Sequence, residues 1–256
     1  SLRANTTGAR NTAVGNNSLI ANTTASSNTA IGDQALASNT TGNNNTAVGR
    51  SSLISNETGT HNTAVGYQSL DAITDGIRCT AVGSTALSAN TGNRNTGLGW
   101  QAGLSNTTGE QCTFVGANCA SSNTTGNYNT AVGDTALGTN TTGGHLTAIG
   151  KNALAANTTA SYNTAIGYGS LASDTTGSSN TAVGYNSLAS ATTDPQNTAV
   201  GRQALANLQG SSGLNTAVGR RAGFTMTTGT SNTAVGGNTM DATTTASENT
   251  AVGVNA

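Results

Sequence analysis

The sequence predicts an all-β protein, a parallel β-solenoid (β-roll) of about fifteen 17-residue coils. Three observations predict it. One phrase recurs in register along the chain, the composition cannot fill an ordinary core, and changes in repeat length fall in one part of the repeat.

The phrase is Asn-Thr-Ala-Val-Gly. Its glycines are 15, 32, 49, 66, 83, 99, 116, 133, 150, 167, 184, 201, 219, 236 and 253, so the steps are 17 residues except for one of 16 and one of 18. A fixed period of this size is the mark of a repeat architecture, in which each unit covers the apolar face of its neighbour. Both ends of the chain fall inside the pattern. Residues 1–256 therefore read as a single repeat domain, a segment of a longer fibre protein.

Within each copy the strand is the Thr-Ala-Val stretch. Thr and Val favour strands, and alternation separates them from the Asn and Ala between. The residue before the glycine is always branched and apolar, from Val14 and Ile31 to Val252. This column is expected to point inward, so that an acidic residue at Val132 would carry an unpaired charge into the core. The glycine after it turns a tight corner. Four residues beyond the glycine comes a second apolar column, Leu19, Leu36, Leu53, Leu70, Leu87, Leu137, Leu154, Leu171, Leu188 and Leu205, also expected inside. Two coils shift it by one residue, to Leu104 and Phe224.

The Asn-Thr-Thr-Gly stretch closes the coil. The short step loses its residue between Asn90 and Asn95, and the long step gains one around Leu208 to Asn215. Length changes are tolerated in surface turns and not inside a ladder. Each coil is thus expected to hold two short strands and two turns, with coils about 4.8 Å apart. Glycine and asparagine every few residues would repeatedly weaken a helix.

Only 7% of residues are charged and 3% aromatic, and the net charge is −1. No basic stripe is present to neutralise a nucleic-acid backbone. No apolar run approaches the ~18 residues that span a bilayer, so no membrane insertion is expected of this segment. Cys79, Cys112 and Cys119 lack metal-type spacing. Cys79 and Cys112 share one column two coils apart, about 9.6 Å, too far for a disulfide. His61 and His145 lie far apart in variable turns, and Asp71 and Asp75 are not repeated in other coils. No catalytic constellation, phosphate loop or calcium roll is supported, and neither an enzyme nor a cofactor or metal site is expected. Asn-x-Thr triplets, as at Asn5, Asn106 and Asn140, match glycosylation acceptors but are expected from so much Asn and Thr.

The phrase Thr46-Ala47-Val48-Gly49 through Leu53 resembles the head repeats of YadA-like trimeric autotransporter adhesins and the shaft repeats of phage tail fibres. The resemblance covers all copies, with a longer period here than in the adhesin heads. It implies a left-handed parallel β-roll, three identical chains side by side, and attachment to a host-cell or surface receptor. The setting it implies is extracellular, at a cell surface or on a virion tail fibre. The residues themselves argue for association more generally, because one coil has little apolar material to bury against the entropy of ordering it.

Two sets of residues are candidates for binding. The variable positions after the glycine carry exposed aromatics, Tyr67, Trp100, Tyr168 and Tyr185, that could contact sugars or a host surface. The Thr column is invariant: Thr12, Thr29, Thr46, Thr63, Thr80, Thr96, Thr113, Thr130, Thr147, Thr164, Thr181, Thr198, Thr216, Thr233 and Thr250. It reads as a coil-to-coil or subunit ladder. The alternative is an ice-binding solenoid whose Thr row matches ordered water.

Overall fold

The computed structural model describes residues 1–210 and 213–256. It is an all-β solenoid with one three-residue strand per coil and, among the described residues, no helix. The chain divides into two compact units, Ser1–Tyr128 and Asn129–Ala256. In the first unit the strands run from Thr12–Val14, Thr29–Ile31 and Thr46–Val48 through Thr63–Val65, Thr80–Val82 and Thr96–Leu98 to Thr113–Val115. In the second they run from Thr130–Val132, Thr147–Ile149, Thr164–Ile166 and Thr181–Val183 through Thr198–Val200, Thr216–Val218 and Thr233–Val235 to Thr250–Val252. Within each unit every strand pairs in parallel with the next, Thr on Thr and Val, Ile or Leu on its equivalent, as in Thr46↔Thr63, Val48↔Val65 and Val82↔Leu98.

Among the described residues the expected second strand is absent. The Leu stretch bonds to neighbouring coils through turns, Leu36 N to Ser52 O at 2.9 Å and Ser38 N to Ile54 O at 3.1 Å. Leu cannot continue a strand there because its φ is positive wherever it occupies this position, for example 50° at Leu53, as is that of Ala120 and Met240 in its place. In the two coils where the Leu column shifts, Gly103 and Gly223 take that position, with φ of 63° and 61°. Glycine accepts this conformation without the cost a side chain carries.

The corner glycine is required twice over. Gly66 has a φ of 137°, and a Cβ there would lie 2.4 Å from Gly83 O in the next coil. Neither the backbone angle nor the coil-to-coil spacing leaves room for another residue.

The interior corrects the expected face of the strand. Alternation holds, but Ala points in and the Thr and Val/Ile columns point out. Ala30, Ala47, Ala64, Ala165 and Ala182 are fully buried, whereas Ile31, Val82, Leu98, Ile149, Ile166, Val200 and Val218 keep 36–40% of their surface. The reason is volume. The inside of the coil is already filled by the fully buried Leu column and by two buried asparagines, so only a methyl group fits opposite them. Where Phe114 replaces Ala in that column, Gly103 in the preceding coil makes the room.

The two asparagines per coil hold the interior together. Asn39 Nδ2 donates to Asn22 Oδ1 at 3.1 Å and to Gly42 O at 3.0 Å, and Asn56 Nδ2 donates to Asn39 Oδ1 at 2.9 Å. The second ladder precedes the strand: Asn28 Nδ2 donates to the same Gly42 O at 2.9 Å, while Asn28 Oδ1 accepts the backbone N–H of Asn45 at 2.9 Å. One carbonyl thus receives both side chains of its coil, and these buried Nδ2 donors are satisfied rather than left to cost several kcal/mol.

In the Asn-Thr-Thr-Gly stretch Thr107 and Thr108 are exposed, as a turn requires, while Asn106 and Gly109 point inward. The short coil keeps both functions with one residue fewer. Thr91 N and Gly92 N donate to Thr107 O, and Gly92 O accepts Asn90 Nδ2 at 2.8 Å. The extra residue of the long coil falls in 208–215, where 211 and 212 lie outside the described residues.

Candidate functional site

The surface with a distinct chemistry is the outward face of the strands. In each coil it presents one Thr, half-buried except at the two ends, and one Val, Ile or Leu, in register with the coils on either side within its unit. All fifteen Thr residues of the sequence column occupy the first strand position. Their hydroxyls and the neighbouring methyl groups form two parallel ranks, one polar and one apolar, about 4.8 Å apart along the stack.

The alternation extends beyond the strand. In one coil Tyr162, Thr164, Ile166 and Tyr168 lie outward, while Asn163 and Ala165 between them are buried. The positions before and after each strand therefore flank the face. On the far side of the glycine, Tyr168 and Tyr185 stack with ring centroids 5.4 Å apart and planes at 11°, and the Arg202 guanidinium lies 5.8 Å from the Tyr185 ring. In the first unit Arg50 lies 5.5 Å from the Tyr67 ring in the same column, and Trp100 is exposed there. Such cation–π contacts hold the rings in place at an exposed site.

On the near side, His145 and Tyr162 stack at 5.1 Å. Tyr162 is absent from the aromatic set read from the sequence, although it is 63% exposed. The signal was present: Tyr162 precedes Thr164 by two residues, and period-two alternation puts both on one face. The structure thus brings Tyr168 and Tyr185 together in adjacent coils, while Tyr162 stacks with His145 on the opposite flank. Tyr67 and Trp100 stand separately in the other unit.

Other sequence candidates take structural places. Asn106 and Asn140 are buried, and Asn106 Nδ2 donates to Asn90 Oδ1 at 2.7 Å and Gly109 O at 3.0 Å. Neither side chain is presented for glycosylation in the folded chain. Asp71 accepts a hydrogen bond from Ser88 Oγ at 2.6 Å, and Asp75 one from Thr74 Oγ1 at 3.3 Å. His61 is exposed, 3.3 Å from Asn44 Nδ2.

Cys79 and Cys112 are buried thiols in the Asn ladder and fill the asparagine role, with Sγ 3.3 Å from Gly92 O and Gly126 O respectively. Burial pushes the Cys79 thiol up and the Cys119 thiol up to about 12, so neither is a ready nucleophile. Among the described residues no group of three or more His, Cys, Asp or Glu is placed to hold a metal ion, and no helix is long and apolar enough to cross a membrane.

Comparison with models of protein families and with curated protein sequences found no match.

Proposed function

We propose that the chain is a structural and adhesive fibre segment, acting outside the cell or on a virion, whose coils associate with copies of the same chain and hold a binding tip at a distance. It performs no catalysis. The observation that carries this reading is the Val/Ile/Leu column at the end of the strand, which is 36–40% exposed at seven interior positions while the Ala column and the second Leu column are buried. Covering the exposed part of one such side chain is worth about 1 kcal/mol. One coil is too little to offset the entropy of association, but the ranks of a whole unit together supply several kcal/mol. Cyclic symmetry is the ordinary way to close such an interface, and three-fold symmetry follows the resemblance to trimeric fibres.

In this reading the exposed aromatics on the flanks remain in contact with solvent and supply attachment. Sedimentation equilibrium tests the proposal. A concentration-dependent trimer that is lost when Ile166 and Val183 are replaced by lysine supports it. A monomer at every concentration overturns it.

A second reading rests on the same face. Its outward Thr and Val ranks, in register between coils, offer hydroxyl and methyl groups at a regular spacing to an ordered water lattice. A monomer with thermal hysteresis that is abolished by Thr164→Tyr would favour ice binding over the fibre.

A further inference from the structure

The Asn ladder contains one substitution whose chemistry matters. In the second unit the ladder runs through Asn140 and Asn157, with Asn157 Nδ2 donating to Asn140 Oδ1 at 2.7 Å and to Ala160 O at 3.2 Å. The next coil places Asp174 where the asparagine would be, and the coils after it place Ala191, Leu208 and Met226 there. Asp174 is fully buried.

An asparagine at this position would donate from Nδ2 to Asn157 Oδ1, as Asn39 does to Asn22. An aspartate has no such donor. Asn157 Oδ1 is accordingly a buried acceptor without a hydrogen-bond partner. The other groups around Asp174 are donors already engaged with it: Gly177 N reaches Oδ1 at 2.9 Å, and Asn163 Nδ2 reaches Oδ2 at 3.0 Å. The nearby Gly177 O already accepts Asn163 Nδ2 at 2.6 Å. One donor is missing and one acceptor is orphaned, at adjacent rungs of the same ladder.

We propose that Asp174 is a proton-binding site, held as the neutral acid in the folded protein with its O–H donating to Asn157 Oδ1, and that loss of this proton loosens the coils around it. The ionised form would set a buried carboxylate oxygen against an amide oxygen, two acceptors with no hydrogen between them. A second acid reinforces the preference: Asp194, in the following coil, is buried, and its backbone N and O lie against Gly177 beside Asp174. The other ionisable side chains of these coils, Lys151, Tyr162, Tyr168 and Tyr185, are exposed. Desolvation by burial, with a smaller contribution from Asp194, pushes the Asp174 carboxyl up to about 7, against hydrogen bonds from Gly177 and Asn163 that lower it.

The Ile73 rung provides a contrast. It leaves Asn56 Oδ1 orphaned in the same way, but isoleucine has no proton to supply, so that defect does not depend on pH.

The sign follows from linkage. The unfolded carboxyl ionises near its ordinary value of about 4, while the folded one holds its proton to about 7. Between these values the folded state binds more protons, so stability falls as pH rises, and the loss is complete above the folded value. Each pH unit in that interval lowers the folding equilibrium constant about tenfold.

Urea unfolding of the parent, Asp174→Asn and Asp194→Asn proteins between pH 4.5 and 8.5 tests the proposal, with the Asp174 carboxyl followed directly by carbon-detected NMR. The expected result is a parent that weakens towards neutral pH, with Asp174→Asn restoring the ladder, removing most of that dependence and exceeding the parent at pH 8. Asp194→Asn should lower the Asp174 titration midpoint but keep it above the ordinary carboxylate range. Parent and Asp174→Asn proteins with the same pH profile, or an Asp174 carboxyl ionised at pH 5.5 in the folded protein, would overturn the proposal. Stability at pH 8 restored by sodium or calcium ions but insensitive to pH would also overturn it, since a metal cation rather than a proton would then fill the gap.

Discussion

A Cβ on Gly103 would come within 2.6 Å of Phe114 Cδ2. The largest fully buried side chain of the protein therefore occupies space that a glycine in the preceding coil leaves vacant. Replacing Gly103 by alanine forces the ring aside and strains a backbone with φ of 63°, and should cost about 1–3 kcal/mol. Phe114→Ala, which empties the same space, should cost about 3–5 kcal/mol. Denaturant midpoints of the two variants check both values, and a Gly103→Ala protein as stable as its parent would contradict the packing.

Asn39 shows what the ladder is worth. Asn39→Ala leaves Asn22 Oδ1 without its donor and removes the acceptor of Asn56 Nδ2, at a cost of about 3 kcal/mol. Asn39→Asp should cost less at pH 4.5 than at pH 8, because the neutral acid can donate to Asn22 Oδ1 and the carboxylate cannot. Urea titrations at the two pH values would read the difference.

Ile166 and Val183 lie outward, so replacing both by lysine should shift the monomer's melting temperature by only a few degrees. Surface substitutions away from packed features usually change stability by less than about 0.5 kcal/mol each. The same double variant should abolish self-association in sedimentation. A collapse of the monomer fold instead would return these side chains to the interior.

Tyr168 and Tyr185 belong to the exposed flank, stacked on each other. Tyr168→Ala with Tyr185→Ala should leave melting within a few degrees of the parent and weaken attachment to a glycan-coated surface at least tenfold, measured by flow detachment of coated beads. Equal detachment of parent and variant would remove the tyrosines from the attachment role.

The repeat, the coil and the parallel pairing were legible in the sequence because the glycines keep one register and Gly66 can be nothing else. The Leu column was read correctly for the same reason: Leu53 and its nine equivalents are large, apolar and keep one spacing from the glycine. The Val column was not, although Val48 is as apolar as Leu53. Hydrophobicity names the residues that prefer burial, but a narrow coil has room for only some of them, and the two buried asparagines take the rest of that room. Their inward direction was the hidden fact, since Asn39 reads as part of a turn and Asn45 shares the strand face opposite Val, which was expected to lie outside. Asp174 was invisible for a related reason: in a chain with scattered acids, only an orphaned oxygen on Asn157 marks it as different.

The backbone N–H of Asn45 binds the side chain of Asn28, so each coil presents to its successor a ready-made row of acceptors. A chain leaving the ribosome amino-terminus first can therefore fold as a zipper, each new coil templated by the one already formed. The sequence separation to be closed is one period at every step, whatever the length of the array. Loop closure of that size is fast, and growth of the stack adds time in proportion to coil number rather than multiplying a barrier. A repeat array of this kind can lengthen by whole coils without becoming a slow folder.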